Sequence, residues 1–279
     1  MMPISMSLPA LAILTINGGS SSIKFALIEP QEAMRKILSG SINRIGSSNA
    51  ELIVHGKPAA DNCSRPIAAS DHSEAVASLM AWLDEHLGDG AFTAIGHRVV
   101  HGGPKYWDPQ RVTPQLLQDL TSVSSYDPEH LPQELQLIEA FQRRFSKLPQ
   151  VACFDTGFHH DLPRVAHLLA IPRRYEAMGV RRYGFHGLSY AYLMQELARL
   201  AGAHAARGRV VLAHLGGGAS MAAVHEGRSV DTTMAFTPAA GLMMGTRCGD
   251  MDPGVVAYLA RQFGMRASDF DHMANHESG

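Results

Sequence analysis

Apolar and polar positions alternate with different periods along this chain, and the changes of period mark its elements. Residues 11–16 (LAILTI) and 23–28 (IKFALI) are short β-rich runs separated by NGGSSS. Two such runs joined by a glycine- and serine-rich turn predict a β-hairpin. Further strands are predicted near 37–43, 50–55, 94–100 and 150–154. A helical period covers 72–87, with Val76, Leu79, Met80, Leu83 and Leu87 on one face. Asp71 is its N-cap, with Glu74 three residues on. Thr113-Pro114 predicts another helix start, a cap followed by proline in the first turn, and a third helix spans about 132–145. Strands followed by alternating helices and strands indicate an α/β domain with a mixed sheet.

The pattern restarts after Asp155. A helix near 188–202 precedes RVVLAHLGGGASMAAVHEGRSVDT (209–232). That segment reads as three strands joined by a glycine turn and by Glu226-Gly227. A helix follows at about 253–263 with Pro253 at its start, and no closing strand or helix is predicted before NHESG. LTINGGSSSIKFALIE (14–29) and VLAHLGGGASMAAVHE (211–226) share one template: apolar strand, Gly-Gly, small residues, Ser, apolar strand, Glu. Gly18-Gly19 corresponds to Gly216-Gly217, and Ser22 to Ser220. A repeat spaced by about two hundred residues is too distant for a solenoid and fits a duplicated domain. The expected division is a first domain over 1–155 and a second over 156–279.

Composition narrows the class. A net charge of −2 over 279 residues gives no basic field for nucleic acid and no acidic tail. The apolar stretch from Leu8 to Ile16 is interrupted by Pro9 and Thr15 and lacks a basic flank. It reads as a strand with a loose leader, not as a membrane span or signal. Cys63, Cys153 and Cys248 have neither metal-ligand nor disulfide spacing, which fits a reducing cytosol. None of the predicted helices carries an H-x-x-x-H pair among the 15 histidines, so zinc is disfavoured.

Glycine turns without Cβ bulk let backbone N–H groups approach an anion, and serine hydroxyls and Lys24 add donors. The set suits phosphate. It is neither a Walker A loop nor a dinucleotide fingerprint, because a strand and not a helix follows the glycines. Two such turns, one per domain, are expected to clamp a nucleotide polyphosphate in a cleft. GHRVVHGG (96–103) presents Arg98, a candidate for anion binding or for a structural ion pair. FDTGFHH (154–160) presents Asp155 at a strand end, as a site residue or a helix cap. RRYGFHG (181–187) offers His186, and GTRCGDMDPG (245–254) offers Arg247, which could also neutralise Asp250 or Asp252.

NGGSSSIK, GHRVVHGG, FDTGFHH, RRYGFHG, HLGGGAS and FTPAAGLMMGTRCGDMDPG occur in an order and spacing that resembles the acetate kinase family, which also includes propionate kinases. The resemblance runs from about Ile13 to the last residue. It implies duplicated actin/hexokinase/Hsp70-like (ribonuclease H-like) α/β domains with mixed sheets. The first is the substrate and phosphate side and the second, incomplete one the nucleotide side. It also implies reversible, Mg²⁺-dependent transfer of the ATP γ-phosphoryl group to acetate, giving acetyl phosphate and ADP on a route to acetyl-CoA in the cytoplasm. By position, Asn17 matches an asparagine that helps hold magnesium, and Lys24 a lysine near the nucleotide phosphates. Arg98 matches the arginine that pairs with the substrate carboxylate, and Asp155 the active-site acid. His186 and Arg247 match the pair that steadies the transferring phosphoryl group, and His214, Leu215, Gly216, Gly217 and Gly218 the second-domain ATP loop.

Two positions depart from that family. Gly217 stands where it usually has asparagine, and Ala240 where it usually has an acidic residue. The family also continues past NHESG, with the rest of the second domain, an adenosine-site segment, a late magnesium glutamate and a helix returning to the first domain. The expectation is a truncated chain that binds ATP weakly and turns over little, from a protein that is a homodimer when complete. Propionate or butyrate kinase activity and a catalytically silent nucleotide-binding fragment are the alternatives. A sugar kinase fits less well, because Arg98 suits a carboxylate.

Overall fold

The computed structural model describes residues 11–31, 34–56, 62–87 and 90–279; the leader expected before residue 11 lies outside them. The chain divides into two units. One comprises residues through Val100 together with Asp108–Cys153, and the other comprises His101–Trp107 and Phe154–Gly279. The segment 101–107 therefore packs with the second unit, although it lies within the first in sequence order.

In the first unit β1 (Ile13–Gly18), β2 (Ser22–Glu29), β3 (Arg35–Asn43), β4 (Glu51–Gly56) and β5 (Cys63–Pro66) form an antiparallel run. On the other side β1 pairs in parallel with β6 (Ala94–Val99). The sheet ends with β8 (Gln150–Phe154) beside β6 and β7 (Gln110–Arg111) at the margin, in the order β5-β4-β3-β2-β1-β6-β8-β7. It is mixed, as expected, because the antiparallel hairpins meet a parallel crossover at β1. Strand alternation buries Leu14 and Ile16 on β1 and Ile23, Phe25 and Leu27 on β2.

Two helices cover that face. α1 (His72–His86) begins where Asp71 accepts a hydrogen bond from the Glu74 N–H, and it buries Ala75, Leu79, Trp82 and Leu83. Val76 and Met80, predicted on the same face, are partly buried at its margin. Trp82 lies 5.6 Å from Phe25 and stacks on His86. α2 (Pro114–Ser122) starts on the predicted Thr113 cap. α3 (Leu131–Arg144) presses Leu137 and Phe141 into the same core. Each such fully buried apolar side chain contributes ~1.5–3 kcal/mol. Gly40 on β3 is required by packing, since a Cβ there would run into the Phe25 ring and the Ile53 carbonyl.

The second unit repeats the hairpin motif. After the short α4 (Arg164–His167), α5 runs from Gly187 to Arg207, past the predicted end, with a break at Gly202 (φ 86°). β9 (Arg209–Leu215), β10 (Ala219–His225) and β11 (Arg228–Thr232) form a three-stranded antiparallel sheet in the order β11-β10-β9. α5 lies against it through Tyr190, Met194, Leu212, Ala222 and Val224. α6 (Pro253–Phe263) opens on Asp252, whose carboxylate accepts from the Gly254 N–H. A further helix, α7 (Ala267–His276), follows, which corrects the expectation that no helix precedes NHESG and the expectation that no helix carries H-x-x-x-H, since His272 and His276 lie one turn apart on it. Its segment ASDFDHMANH is too polar to announce itself by periodicity. Among the described residues no helix is long and apolar enough to cross a membrane.

Two buried histidines make the fold pH-sensitive. His97 lies on β6 and shares a hydrogen bond of 2.9 Å with the Gln150 side-chain oxygen. His159 sits between Ser229 Oγ (2.8 Å) and the Phe185 carbonyl (3.1 Å). Burial lowers both pKa values to about 4. The folded state therefore holds both rings neutral while the unfolded chain takes up protons near pH 6.5. Their stabilisation is complete above pH 6.5 and is lost as the pH falls from 6.5 to 4, by roughly 3 kcal/mol for each ring. Urea midpoints should fall steadily between pH 7 and pH 4.5, with a shallower slope in His97→Gln. Equal slopes in the two proteins would exclude His97 as a source.

Candidate functional site

In the first unit the strand register gathers three predicted residues. Asn17 on β1 is paired with Lys24 on β2 and with Arg98 on β6, so the three lie in one row across adjacent strands. Neighbouring strands are about 4.8 Å apart, so the row spans two strand spacings. The residues beside them, Ile16, Phe25 and His97, are buried, whereas Asn17 and Lys24 are exposed. Spacing in the sequence could not reveal this row, because Arg98 joins it only through the parallel pairing.

Arg98 is also a structural ion-pair partner. Its Nη1 donates to Glu134 Oε1 at 2.9 Å and to the Gly18 carbonyl at 3.4 Å. Glu134, on α3, is 2% exposed, and its other oxygen accepts the Val100 N–H at 2.8 Å. The guanidinium is thereby fixed beside the first glycine turn. Within that turn the Gly19 N–H donates to the Ser22 carbonyl at 2.7 Å, and a ring nitrogen of His72 meets the Gly19 carbonyl at 2.8 Å. In the β9–β10 turn the Gly216 N–H donates to the Gly218 carbonyl at 3.0 Å. One amide of each expected phosphate cradle is thus committed to closing its own turn.

The second unit holds the other predicted residues. β8 ends at Phe154, and Asp155, 5% exposed, follows it. The Asp155 backbone carbonyl accepts the Gly187 N–H at 2.8 Å, which ties the strand end to the first residue of α5. A Cβ on Gly187 would collide with that carbonyl, so glycine is obligatory at the crossing. His186 precedes it in the left-handed region (φ 61°), a conformation that costs of order 1–3 kcal/mol for a residue with a side chain. Its Nδ1 lies 2.8 Å from Ser220 Oγ, and its ring stacks on His214 with centroids 4.0 Å apart. Gly218 brings His186 and Arg247 together: a Cβ there would lie 3.3 Å from His186 Nε2 and 3.4 Å from Arg247 Nη1. Leu215 and Gly216–Gly217 at the turn are exposed, and a Cβ on Gly217 would meet nothing within 4 Å.

Arg247 sits in a loop folded on itself. Its Nη1 donates to the Pro238 carbonyl at 3.3 Å, and its own carbonyl accepts the Met244 N–H at 3.0 Å. Asp250 accepts from the Gly241 N–H and Asp252 caps α6, so both carboxylates serve backbone amides. α7 braces this loop: the Cys248 N–H bonds to the Ala274 carbonyl, and Thr246 Oγ to the Asn275 carbonyl. Arg182, passed over in sequence, donates to the carbonyls of Ala166, Thr232, Thr233 and Met234. It locks β11 to the segment before His186, and the only signal for it was its place in the RRYGFHG motif. Cys153, two residues before Asp155, is a half-buried thiol whose pKa burial pushes up.

Among the described residues no group of three His, Cys, Asp or Glu side chains is placed to hold a metal. Magnesium does not require such a cage. It keeps several waters and is held through one or two carboxylates and the phosphates of its substrate. The exposed amide of Asn17 fits that mode of binding.

A mixed α/β fold with these glycine hairpins, and with histidine and arginine meeting over the second of them, is that of a phosphotransferase family. Residues 12–279 match the model of the acetokinase family. An acetate kinase from Rhodopseudomonas palustris is 44% identical over 270 residues, covering 96% of this chain and 68% of that protein. One from Pseudomonas aeruginosa is 42% identical, over 98% of this chain and 68% of that protein. Among solved structures, a propionate kinase from Francisella tularensis superposes with a TM-score of 0.89 at 33% identity, covering 96% of this chain and 69% of that one. The Porphyromonas gingivalis acetate kinase gives 0.83 at 31%, covering 96% and 68%. The chain belongs to the acetokinase family, and it spans about two thirds of the length of these relatives.

Removing Arg98 leaves the Glu134 carboxylate buried without its countercharge. Arg98→Ala should therefore lose ~3 kcal/mol of stability, measured by urea unfolding. The double variant Arg98→Ala/Glu134→Leu should recover much of that loss. Additive losses would show that the pair is not coupled.

Proposed function

We propose that the chain carries the chemistry of an acetate kinase: reversible, Mg²⁺-dependent transfer of the ATP γ-phosphoryl group to acetate, giving acetyl phosphate and ADP. The observation that carries this reading is the meeting of His186 Nε2 and Arg247 Nη1 at Gly218, two donors aimed at one glycine turn. Such an arrangement suits an anion whose charge grows during transfer.

The acceptor carboxylate is already an anion, so no strong base is needed. The difficulty is to bring two anions together and to shield the oxygens in flight, which is positioning and charge stabilisation. Arg98 holds the carboxylate through its planar guanidinium, pre-set by Glu134. Lys24 and the backbone of His214, Leu215, Gly216, Gly217 and Gly218 take the nucleotide phosphates. His186 and Arg247 donate to the transferring group. Mg²⁺, bound with the nucleotide, would neutralise phosphate charge, and Asn17 and Asp155 are the residues that would meet it. The 44% identity to an acetate kinase favours acetate, and the fit to a propionate kinase structure makes propionate the second reading. A cytoplasmic location and a homodimeric whole protein belong to the same proposal.

The test is a hydroxamate assay of the purified chain with ATP, Mg²⁺ and either acetate, propionate, butyrate or glucose. Slow formation of acyl phosphate, from acetate in preference to propionate, is expected, with turnover falling a further ~10²–10³-fold in Arg247→Ala while its unfolding curve is unchanged. Nucleotide binding without acyl phosphate from any acceptor would favour the silent-module reading. Because Gly217 has open space around its Cβ position, Gly217→Asn should fold normally and lower the KM for ATP several-fold. An unchanged KM would deny that side chain a phosphate contact.

A further inference from the structure

Beneath His186 lies a line of hydroxyls that the proposed chemistry does not yet use. Ser220 Oγ is 2.8 Å from His186 Nδ1 and 2.5 Å from the Tyr190 hydroxyl. Ser220 and Tyr190 are both fully enclosed, each at 0% exposure, so water cannot substitute for either partner. Tyr190 stands one helical turn beyond His186 on α5, and its own N–H bonds to the His186 carbonyl. Ser220 is the β10 residue paired with His214 on β9, so sheet register and helix pitch together place the three groups.

A hydroxyl has one proton to give, and this decides the direction of the line. Among the described residues the Tyr190 hydroxyl has one side-chain hydrogen-bond partner, Ser220 Oγ. A phenol proton enclosed there is satisfied only by donating to that oxygen. The serine proton is then left for His186 Nδ1. Nδ1 accepts, so the ring proton resides on Nε2, the nitrogen that faces Gly218 and Arg247. The stacked His214 ring, itself held by Ser189 Oγ at 3.0 Å from its Nδ1, fixes the plane in which Nε2–H points.

We propose that Tyr190 and Ser220 are positioning residues that lock His186 in its Nε2–H tautomer, so that the neutral ring presents a hydrogen-bond donor, not a lone pair, to an anion at the β9–β10 turn. The unlocked ring would present a lone pair for part of the time and repel the same anion. The functional meaning rests on the proposed role of His186, but the tautomer itself does not.

Long-range ¹H–¹⁵N correlation of the imidazoles in the full chain at neutral pH tests it, with His186→Gln used to assign the signals. A protonated Nε2 and an unprotonated Nδ1 are expected for His186. Ser220→Ala removes the donor to Nδ1 and should convert this to a mixture of tautomers. Tyr190→Phe, which keeps the buried ring, should do so in part and guards against the serine variant failing to fold. An Nδ1–H tautomer in the unsubstituted chain, or an Nε2–H tautomer untouched by both substitutions, overturns the proposal. These outcomes are read without turnover, so they are separable from failure of the acetate kinase reading. Where acyl phosphate is measured, Ser220→Ala should lower kcat about tenfold with the KM for acetate unchanged. A loss confined to KM would count against a role in orienting His186.

Discussion

The bond from the Gly187 amide to the Asp155 carbonyl is the constraint on which the second unit is built. It draws the start of α5 so close to the end of β8 that no side chain fits between them. From that crossing, Asp155 sits at the strand end and His186 is forced into a left-handed backbone conformation at the helix entrance. The helix then carries Tyr190 to the place where Ser220 arrives from β10. Strain at His186 is tolerated because the Gly187 bond on one side and the Tyr190 amide on the other leave its backbone no alternative. A strand end and a helix from distant parts of the chain thus meet through a single peptide contact, and the hairpin joins them through Ser220.

The first unit solves a different problem with a charge. Arg98 belongs to a strand whose neighbouring residues His97 and Val99 are buried, and its guanidinium would be mobile if left to solvent. Glu134 holds it, and the Val100 amide holds Glu134. A buried pair of this kind adds little net stability relative to an apolar pair, but it fixes a direction. Direction is what a planar two-point donor needs if it is to meet a carboxylate.

Much of this was legible from residue order. The hairpins announced themselves by period-two runs around glycine, and α1 and α2 by their Asp71 and Thr113 caps. Other elements carried no such signal. β5 and β7 are marginal strands without an apolar face, and α7 opens on Arg266, whose backbone N–H is satisfied by Asp269 without a standard cap residue. The 101–107 segment joins the second unit through the Gly102 N–H, which donates to Thr156 Oγ1 at 3.4 Å. At the site, the residue types were readable in motifs, but the partners were not. Glu134 lies 36 residues from Arg98, and Ser220 lies 34 from His186, separations at which local pattern says nothing about contact. Ser220 was visible only as the counterpart of Ser22 in the internal repeat.

Cys153 gives the chain an internal clock. Thiolate, not thiol, reacts with alkylating reagents, and burial at the end of β8 both shields this sulfur and raises its pKa. The rate at which a small electrophile captures this half-buried sulfur, set against the rates at Cys63 and Cys248, therefore reports how closely the chain packs at the end of β8.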